Sequence, residues 1–298
     1  MSWRVCLSVK KPLLPAARLR WHGRRTLVGV LGWSAAAVAF ALVALPLINI
    51  LWLVTREALS ALSPKLFTEV TNGISGGLLN AITGTFVLVG GSLAIAGPVG
   101  VLAGVYLSEF GDGVFGNSVR FFNDVLTGIP SIVLGYFSYV TMVVGLGWQF
   151  SVLAGSITLA IMIVPYLARL TELALRRVPN SLREAGYALG MREATVIARI
   201  VIPAALPGVL TAVLLSLAIS VGETAPLIYT AGWSNYLWNG RFTHEPIGYL
   251  TYVIWSFINQ PFASAHHLAF AAAFLVISLV LVLNVGVHFL LRRRLPER

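Results

Sequence analysis

The chain has 298 residues, 57% of them hydrophobic and 11% charged, with a net charge of +10 and a mean hydropathy of +0.84. Soluble domains carry roughly 25% charged residues, so too few remain here to cover a water-facing surface, and lipid must cover much of it. The positive excess would suggest nucleic acid in a soluble protein; in a chain this apolar it reads as loop charge that stays in the cytoplasm.

Residues 1–26 form a basic tail that holds the single cysteine, Cys6, so an intrachain disulfide is excluded. Basic residues followed by an apolar run resemble a signal peptide. The run from Thr26 to Thr55 is, however, about twice the usual 7–15-residue apolar region, which predicts an uncleaved first span. Residues 27–72 are read as that helix and its outer loop.

A helix needs about 20 apolar residues to cross the hydrocarbon core, and charge-free runs mark five more spans. The second covers Leu78 to Leu107. Val125 to Ala168 holds the third and fourth, with Gly145-Leu146-Gly147-Trp148 as the turn. The fifth covers Ile200 to Gly222, and the sixth runs from near His267 to Leu291.

With six spans, 18 of the 21 lysines and arginines fall on one side, leaving Arg56, Lys65 and Arg241 on the other. Basic loops stay cytoplasmic, so both termini are expected there. The apolar stretch Pro246 to Phe262 would be a seventh span, but it would move Arg292-Arg293-Arg294 outside. It is therefore read as an outer-surface or re-entrant helix, with Trp233, Trp238 and Trp255 in an interfacial belt and Trp52 and Trp148 at the same level. The five histidines form no HExxH pair, and an interfacial place suits His266-His267 better than metal ligation.

One polar segment, residues 176–199, interrupts the apolar chain between the fourth and fifth spans. Asn180 or Ser181 can cap a helix there, with Glu184 at capping-box spacing from Ser181. Leu182, Ala185, Tyr187, Ala188 and Leu189 give it an apolar side, and Gly190 stops or bends it. Such a helix either lies in the headgroup region or docks a soluble partner.

The spacing resembles the cytoplasmic signature of permeases of binding-protein-dependent ABC importers: Glu184-Ala185-Gly186, then Gly190, then Ile200-Val201-Ile202-Pro203. Gly186 and Ile202 replace the usual alanine and leucine. The resemblance implies an all-α bundle of six transmembrane helices, the type I, MetI-like permease fold, over residues 73–291, with 292–298 as a cytoplasmic tail. It also implies a coupling helix in 176–199 that seats on an ATP-binding subunit through Leu182, Glu184, Ala185, Gly186, Gly190, Ile200 and Pro203.

Gly222-Glu223-Thr224-Ala225-Pro226-Leu227 is similar to a motif of phosphate-importer permeases, and Pro165 with Arg169, Thr171 and Glu172 resembles a second pattern of that branch. Members often carry an arginine four residues before the glutamate; Ile219 stands there, so that cation is missing or comes from the partner permease. The implied function is a pathway for inorganic phosphate, with phosphonate, sulfate, molybdate or another small polar solute as the alternative. The implied partners are a dimer of ATP-binding cassette subunits, a second permease and an extracytoplasmic phosphate-binding protein, besides membrane lipid.

Charges inside a span cost about 2.5–3.5 kcal/mol, which singles out Arg169 and Glu223, with Glu172 a turn nearer the cytoplasm; together with Thr224, next to Glu223, they are read as substrate path or gate. Arg169 either snorkels and pairs with Glu172 at i,i+3 or pairs with Glu223 across the interior. A carboxylate repels phosphate, so Glu223 is not expected to bind it directly: it caps the Thr-Ala-Pro break, holds an arginine of the partner permease, or gates the path. A membrane enzyme would show clustered intramembrane His, Asp or Glu, and a channel a filter motif; neither is visible. A P-loop needs Gly before Lys, yet Lys10, Lys11 and Lys65 follow Val9, Lys10 and Pro64. ATP chemistry is therefore expected on another chain, and no cofactor or nucleic-acid partner is expected.

Overall fold

The computed structural model describes residues 16–294, and the side chains of residues 28–286. Cys6, most of the basic tail and residues 295–298 lie outside the described residues. The chain divides into a unit ending at Leu53 and a unit beginning at Val54. Helix α1 (Ala16–Ala61) supplies the first, and its side chains from Val28 to Leu53 are exposed nearly throughout. That exposure suits a helix whose neighbour is lipid or another chain, since most of the side chains are aliphatic or aromatic.

The second unit opens with the end of α1 from Val54, followed by α2 (Pro64–Thr68) and a hairpin of β1 (Thr71–Asn72) and β2 (Ser75–Gly76), antiparallel with Thr71 opposite Gly76. Gly73, at φ +61°, makes the turn. Then come α3 (Leu79–Glu109), α4 (Val114–Gly128) and α5 (Ser131–Ser138), which continues as a π-helical turn, Tyr139–Gly145. Next are α6 (Val152–Arg176), α7 (Asn180–Ala188) and α8 (Glu193–Val196), with a second π-helical turn at Ile197–Val201. Helices α9 (Ile202–Gly222), α10 (Ala225–Thr230), α11 (Leu250–Phe257) and α12 (Ala263–Arg294) complete the order.

Helices α3 and α6 form the centre. They run parallel and close together because α3 presents small residues to α6. A Cβ on Gly100 would fall 2.9 Å from the Leu167 Cβ, and one on Gly104 2.5 Å from the Thr171 Cβ. Helix α9 runs the other way beside them, with Ser92 and Ser220 hydroxyls 3.2 Å apart. The C-terminal ends of α3 and α6 and the start of α9 therefore share one end of the bundle, and the N-terminal end of α3 marks the other.

Among the described residues five helices are long and apolar enough to cross a membrane, and a bent pair makes six. The third span differs from the expectation. It does not start at Val125 as a straight helix: α4 begins at Val114, and the axis turns by 97° before α5. The cause is Pro130, which holds Ile129 extended (φ −75°, ψ 128°) and donates no backbone hydrogen bond. The segment from Pro246 forms no helix long enough to cross, as the charge argument expects. Its helix α11 has eight residues, roughly 12 Å, and is tied back by Leu250 N–H to the Thr85 hydroxyl at 3.0 Å. Trp233 belongs to packing more than to a belt, stacked on Tyr252 with centroids 4.7 Å apart.

At this second end Asn80, 1% exposed, fastens three pieces. Its Oδ1 accepts from the Thr71 N–H (3.0 Å) and hydroxyl (2.9 Å), and its amide donates to the Ser234 carbonyl (2.9 Å).

Candidate functional site

The charged residues gather at the first end. Glu172 on α6 is buried, and three guanidiniums reach it: Arg120 Nε at 2.8 Å, Arg176 at 3.1 Å and Arg169 at 3.4 Å. Arg169 and Arg176 sit one turn on either side of Glu172, as i,i+3 and i,i+4 spacing allows. Arg120 arrives from α4 and also donates to the carbonyls of Leu107, in the last turn of α3, and of Gly111 just after it, both at 2.8 Å. A buried carboxylate is costly unless paired and fully hydrogen-bonded, and Arg120, largely buried itself, supplies the shortest of these pairs. Three arginines on one carboxylate leave this end strongly positive.

Beside it Arg183 of α7 pairs with Glu109, the last residue of α3, at 2.9 Å, and donates to the carbonyls of Val178 (2.7 Å) and Leu175 (3.2 Å) at the end of α6. The short helix α7 is thereby fixed to the ends of two long helices. Gly186 is where α7 touches the segment leading into α9: a Cβ there would meet Ile200 and Val196 at 2.8 and 2.9 Å. Gly190 has φ +73° and open space around it, the left-handed helix end that favours glycine. The expected capping box does not form. The helix starts at Asn180 after Pro179, and no side chain caps it, because Pro179 occupies the cap position.

The predicted coupling residues divide by exposure. Leu182, Glu184 and Ala185 are exposed on α7, together with Tyr187 and Leu189, whereas Gly186 and Ile200 pack inward. Pro203 is exposed at the start of α9. Its ring has no N–H, so the Arg199 carbonyl gets no α-helical bond from it, and the chain widens into the π-helical turn just before. An apolar groove of about 530 Å³ lies alongside, between α6 and α9, with Leu182 at its edge and Arg177 in its lining.

Glu223 lies elsewhere. It ends α9, its carbonyl accepts from the Thr251 hydroxyl (2.8 Å), and its half-buried carboxylate lies beside Ser131. Thr224 follows, half-buried, before α10. Thr171 meets α3 at Gly104 and Ser220 meets it at Ser92, levels roughly 18 Å apart at 1.5 Å per residue. Arg169 therefore pairs with Glu172 and not with Glu223.

Sequence reasoning missed Arg120, Glu109 and the fastening role of Arg183, which entered only as loop charge or not at all. His266 bonds the Gln260 carbonyl at 2.7 Å. Among the described residues no group of three or more His, Cys, Asp or Glu could hold a metal ion.

Comparison with known proteins extends the picture. Residues 96–295 match the family described as "Binding-protein-dependent transport system inner membrane component". A phosphate transport system permease protein PstA 2 of Mycobacterium bovis is 44% identical over 274 residues, 91% of each chain. A phosphate transport system permease protein PstA of Yersinia pestis is 42% identical over 243 residues, 80% of this chain and 81% of its own. Among solved structures, an inward-facing MetNI methionine ABC transporter chain aligns with a TM-score of 0.56 at 20% identity, covering 83% of this chain and 99% of its own. A chain of a bacterial ABC transporter that imports the acidic polysaccharide alginate aligns with a TM-score of 0.59 at 15% identity, covering 94% and 100%. These two share the fold.

Proposed function

This chain belongs to the family of binding-protein-dependent transport system inner membrane components, and from that premise we propose that it carries inorganic phosphate inward across a bacterial inner membrane, as one permease of an ABC importer. The observation that carries the substrate is the 44% identity to a phosphate permease over 91% of both chains. The chain is a transport subunit and not itself an enzyme. In our reading ATP is hydrolysed by a dimer of separate cassette subunits, a second permease completes the pathway, and an extracytoplasmic binding protein delivers phosphate.

The orientation we adopt puts both termini and the arginine-rich end in the cytoplasm; the placement of 18 of 21 basic residues supports it. Residues 73–291 then form the permease domain. Helix α7, within the coupling segment 176–199, offers Leu182, Tyr187 and Leu189 to the ATP-binding subunit. Its supports are the exposure of that face and the bonds of Arg183 to α3 and α6. Movement imposed on α7 would reach both helices through that side chain. Arg169 and Glu172 would close the inner end of the path, their pairing relaxing in the inward-open state, while Glu223 and Thr224 line it further out.

The test is uptake of labelled phosphate by vesicles holding the complete complex, with binding protein outside and ATP inside. Unlabelled phosphate should compete, and sulfate, molybdate and phosphonate should not. Strong uptake of one of those in place of phosphate would replace the substrate and keep the transport role. Ile219, standing where a cation is usual in the phosphate branch, makes that comparison worth running.

A further inference from the structure

Three tyrosines cluster one to two helical turns past Ser131 and Glu223 in the chain. Tyr136 and Tyr139 stand on α5 and its π-helical continuation, Tyr229 on α10. Their ring centroids lie 6.2 Å (Tyr136–Tyr139), 6.0 Å (Tyr136–Tyr229) and 6.5 Å (Tyr139–Tyr229) apart. The two helices approach this closely because Gly135 faces Pro226: a Cβ there would fall 2.5 Å from the proline Cα. At the start of α5, Ser131 lies against the Glu223 carboxylate. Tyr136 is exposed, and Tyr139, Tyr229, Ser131, Glu223 and Thr224 are half-buried, so these groups line a surface that is neither core nor open face. Among the described residues none of the three phenol hydroxyls has a hydrogen-bond partner. No lysine or arginine occurs on α5, its π-helical continuation or α10.

Five hydroxyls and one carboxylate, with no cation on the elements that carry them, make an unusual setting for an anion. Hydroxyls donate to the bare oxygens of an oxyanion. A carboxylate repels an oxyanion unless the anion keeps a proton to donate to it, in which case the bond is short and charge-assisted. Phosphate keeps a P–OH near neutral pH; sulfate has no such proton. We propose that Ser131, Tyr136, Tyr139, Thr224 and Tyr229 form with Glu223 a transit site for a protonated oxyanion, the hydroxyls donating to its bare oxygens and Glu223 accepting from its P–OH. Specificity then comes from a repulsive group as much as from attractive ones. The site rests on the phosphate reading above and names how the chain itself would favour that anion.

The experiment is equilibrium binding of labelled phosphate to the complete permease–ATPase complex in nanodiscs, without the binding protein, competed by sulfate. Uptake by the same preparations is measured in parallel, with binding protein present. Glu223→Gln removes the charge and exchanges one acceptor oxygen for an NH2 donor. It should weaken phosphate about tenfold, the factor one charge-assisted hydrogen bond commands, and let sulfate compete where it could not before. The double variant Tyr136→Phe with Tyr229→Phe should weaken phosphate by a similar factor while sulfate stays excluded. Size-exclusion profiles and basal ATP hydrolysis confirm assembly of each variant. A carboxylate that only supports the fold would not change the sulfate preference. Wild-type affinity and sulfate exclusion in Glu223→Gln would overturn the site, as would the lack of saturable binding to a complex that takes up phosphate. A wild-type complex that takes up no phosphate would sink the substrate reading itself.

Discussion

Arg120 and Glu172 are 52 residues apart in the chain, yet their side chains meet at 2.8 Å, with Glu172 only 2% exposed and Arg120 18%. The same guanidinium closes the end of α3 through Leu107 and Gly111. One side chain therefore holds α4, α3 and α6 in a fixed relation at the end where α7 is also fastened.

Removing the carboxylate should cost more than removing one arginine. Glu172→Gln leaves three guanidiniums facing one another without their common partner, and breaking a buried pair costs about 3–5 kcal/mol. Arg120→Gln leaves Glu172 with two arginines and should cost less. In the double variant the two losses should not add, because the shared interaction is lost once. Thermal unfolding of the detergent-solubilised chain measures all three; strict additivity would show that the pair contributes nothing of its own.

Gly190→Val should separate ATP hydrolysis from transport. The φ of +73° costs a residue with a Cβ about 1–2 kcal/mol, and a β-branched one more. The open space around Gly190 rules out a steric clash as the cause. The expected pattern is assembled complex, ATP hydrolysis retained and uptake reduced at least severalfold. Gly113→Ala, at ordinary φ and also in open space, is the control and should behave as wild type.

Arg183→Lys tests the fastening of α7. A lysine keeps the charge but cannot reproduce the fork that reaches Glu109 and two carbonyls together. Stimulation of ATP hydrolysis by loaded binding protein should fall while basal hydrolysis persists. Equal stimulation in the lysine variant would mean that α7 moves the long helices by packing alone.

At the opposite end Asn80→Ala removes the acceptor of Thr71 and the donor to Ser234. Each buried group left unpaired costs about 1–3 kcal/mol. The loop between α10 and α11 should become more sensitive to limited proteolysis from outside, at cleavage sites mapped by mass spectrometry, while the arginine-rich end stays protected.

Much of this was legible in the residues. Charge-free runs place the long helices within a few positions, and the spacing of Glu184, Gly190 and Pro203 marks the segment that carries α7. The capping box failed because Pro179 takes the cap position itself. The right-angle bend was missed because a search for uncharged runs skips Arg120 and Asp124. Yet Val114, Phe121, Phe122 and Val125 recur at helical spacing, a signal that points to α4. Asn72-Gly73 was a hairpin signal left unread. The Arg120–Glu172 and Arg183–Glu109 pairs had no local signature, since tertiary packing alone brings residues 52 and 74 positions apart together.

The bend at Pro130 has a consequence for the membrane itself. Ser131–Gly145 holds fifteen residues, eight α-helical and seven π-helical, which rise at most about 22 Å where the hydrocarbon layer measures about 30 Å. Hydrophobic mismatch of this kind is relieved by thinning the adjacent bilayer, at fractions of a kcal/mol per ångström. The relief grows costlier as acyl chains lengthen, so initial uptake rates should decline across vesicles of increasing chain length. The thickness of the host bilayer becomes a term in the transporter's own conformational balance.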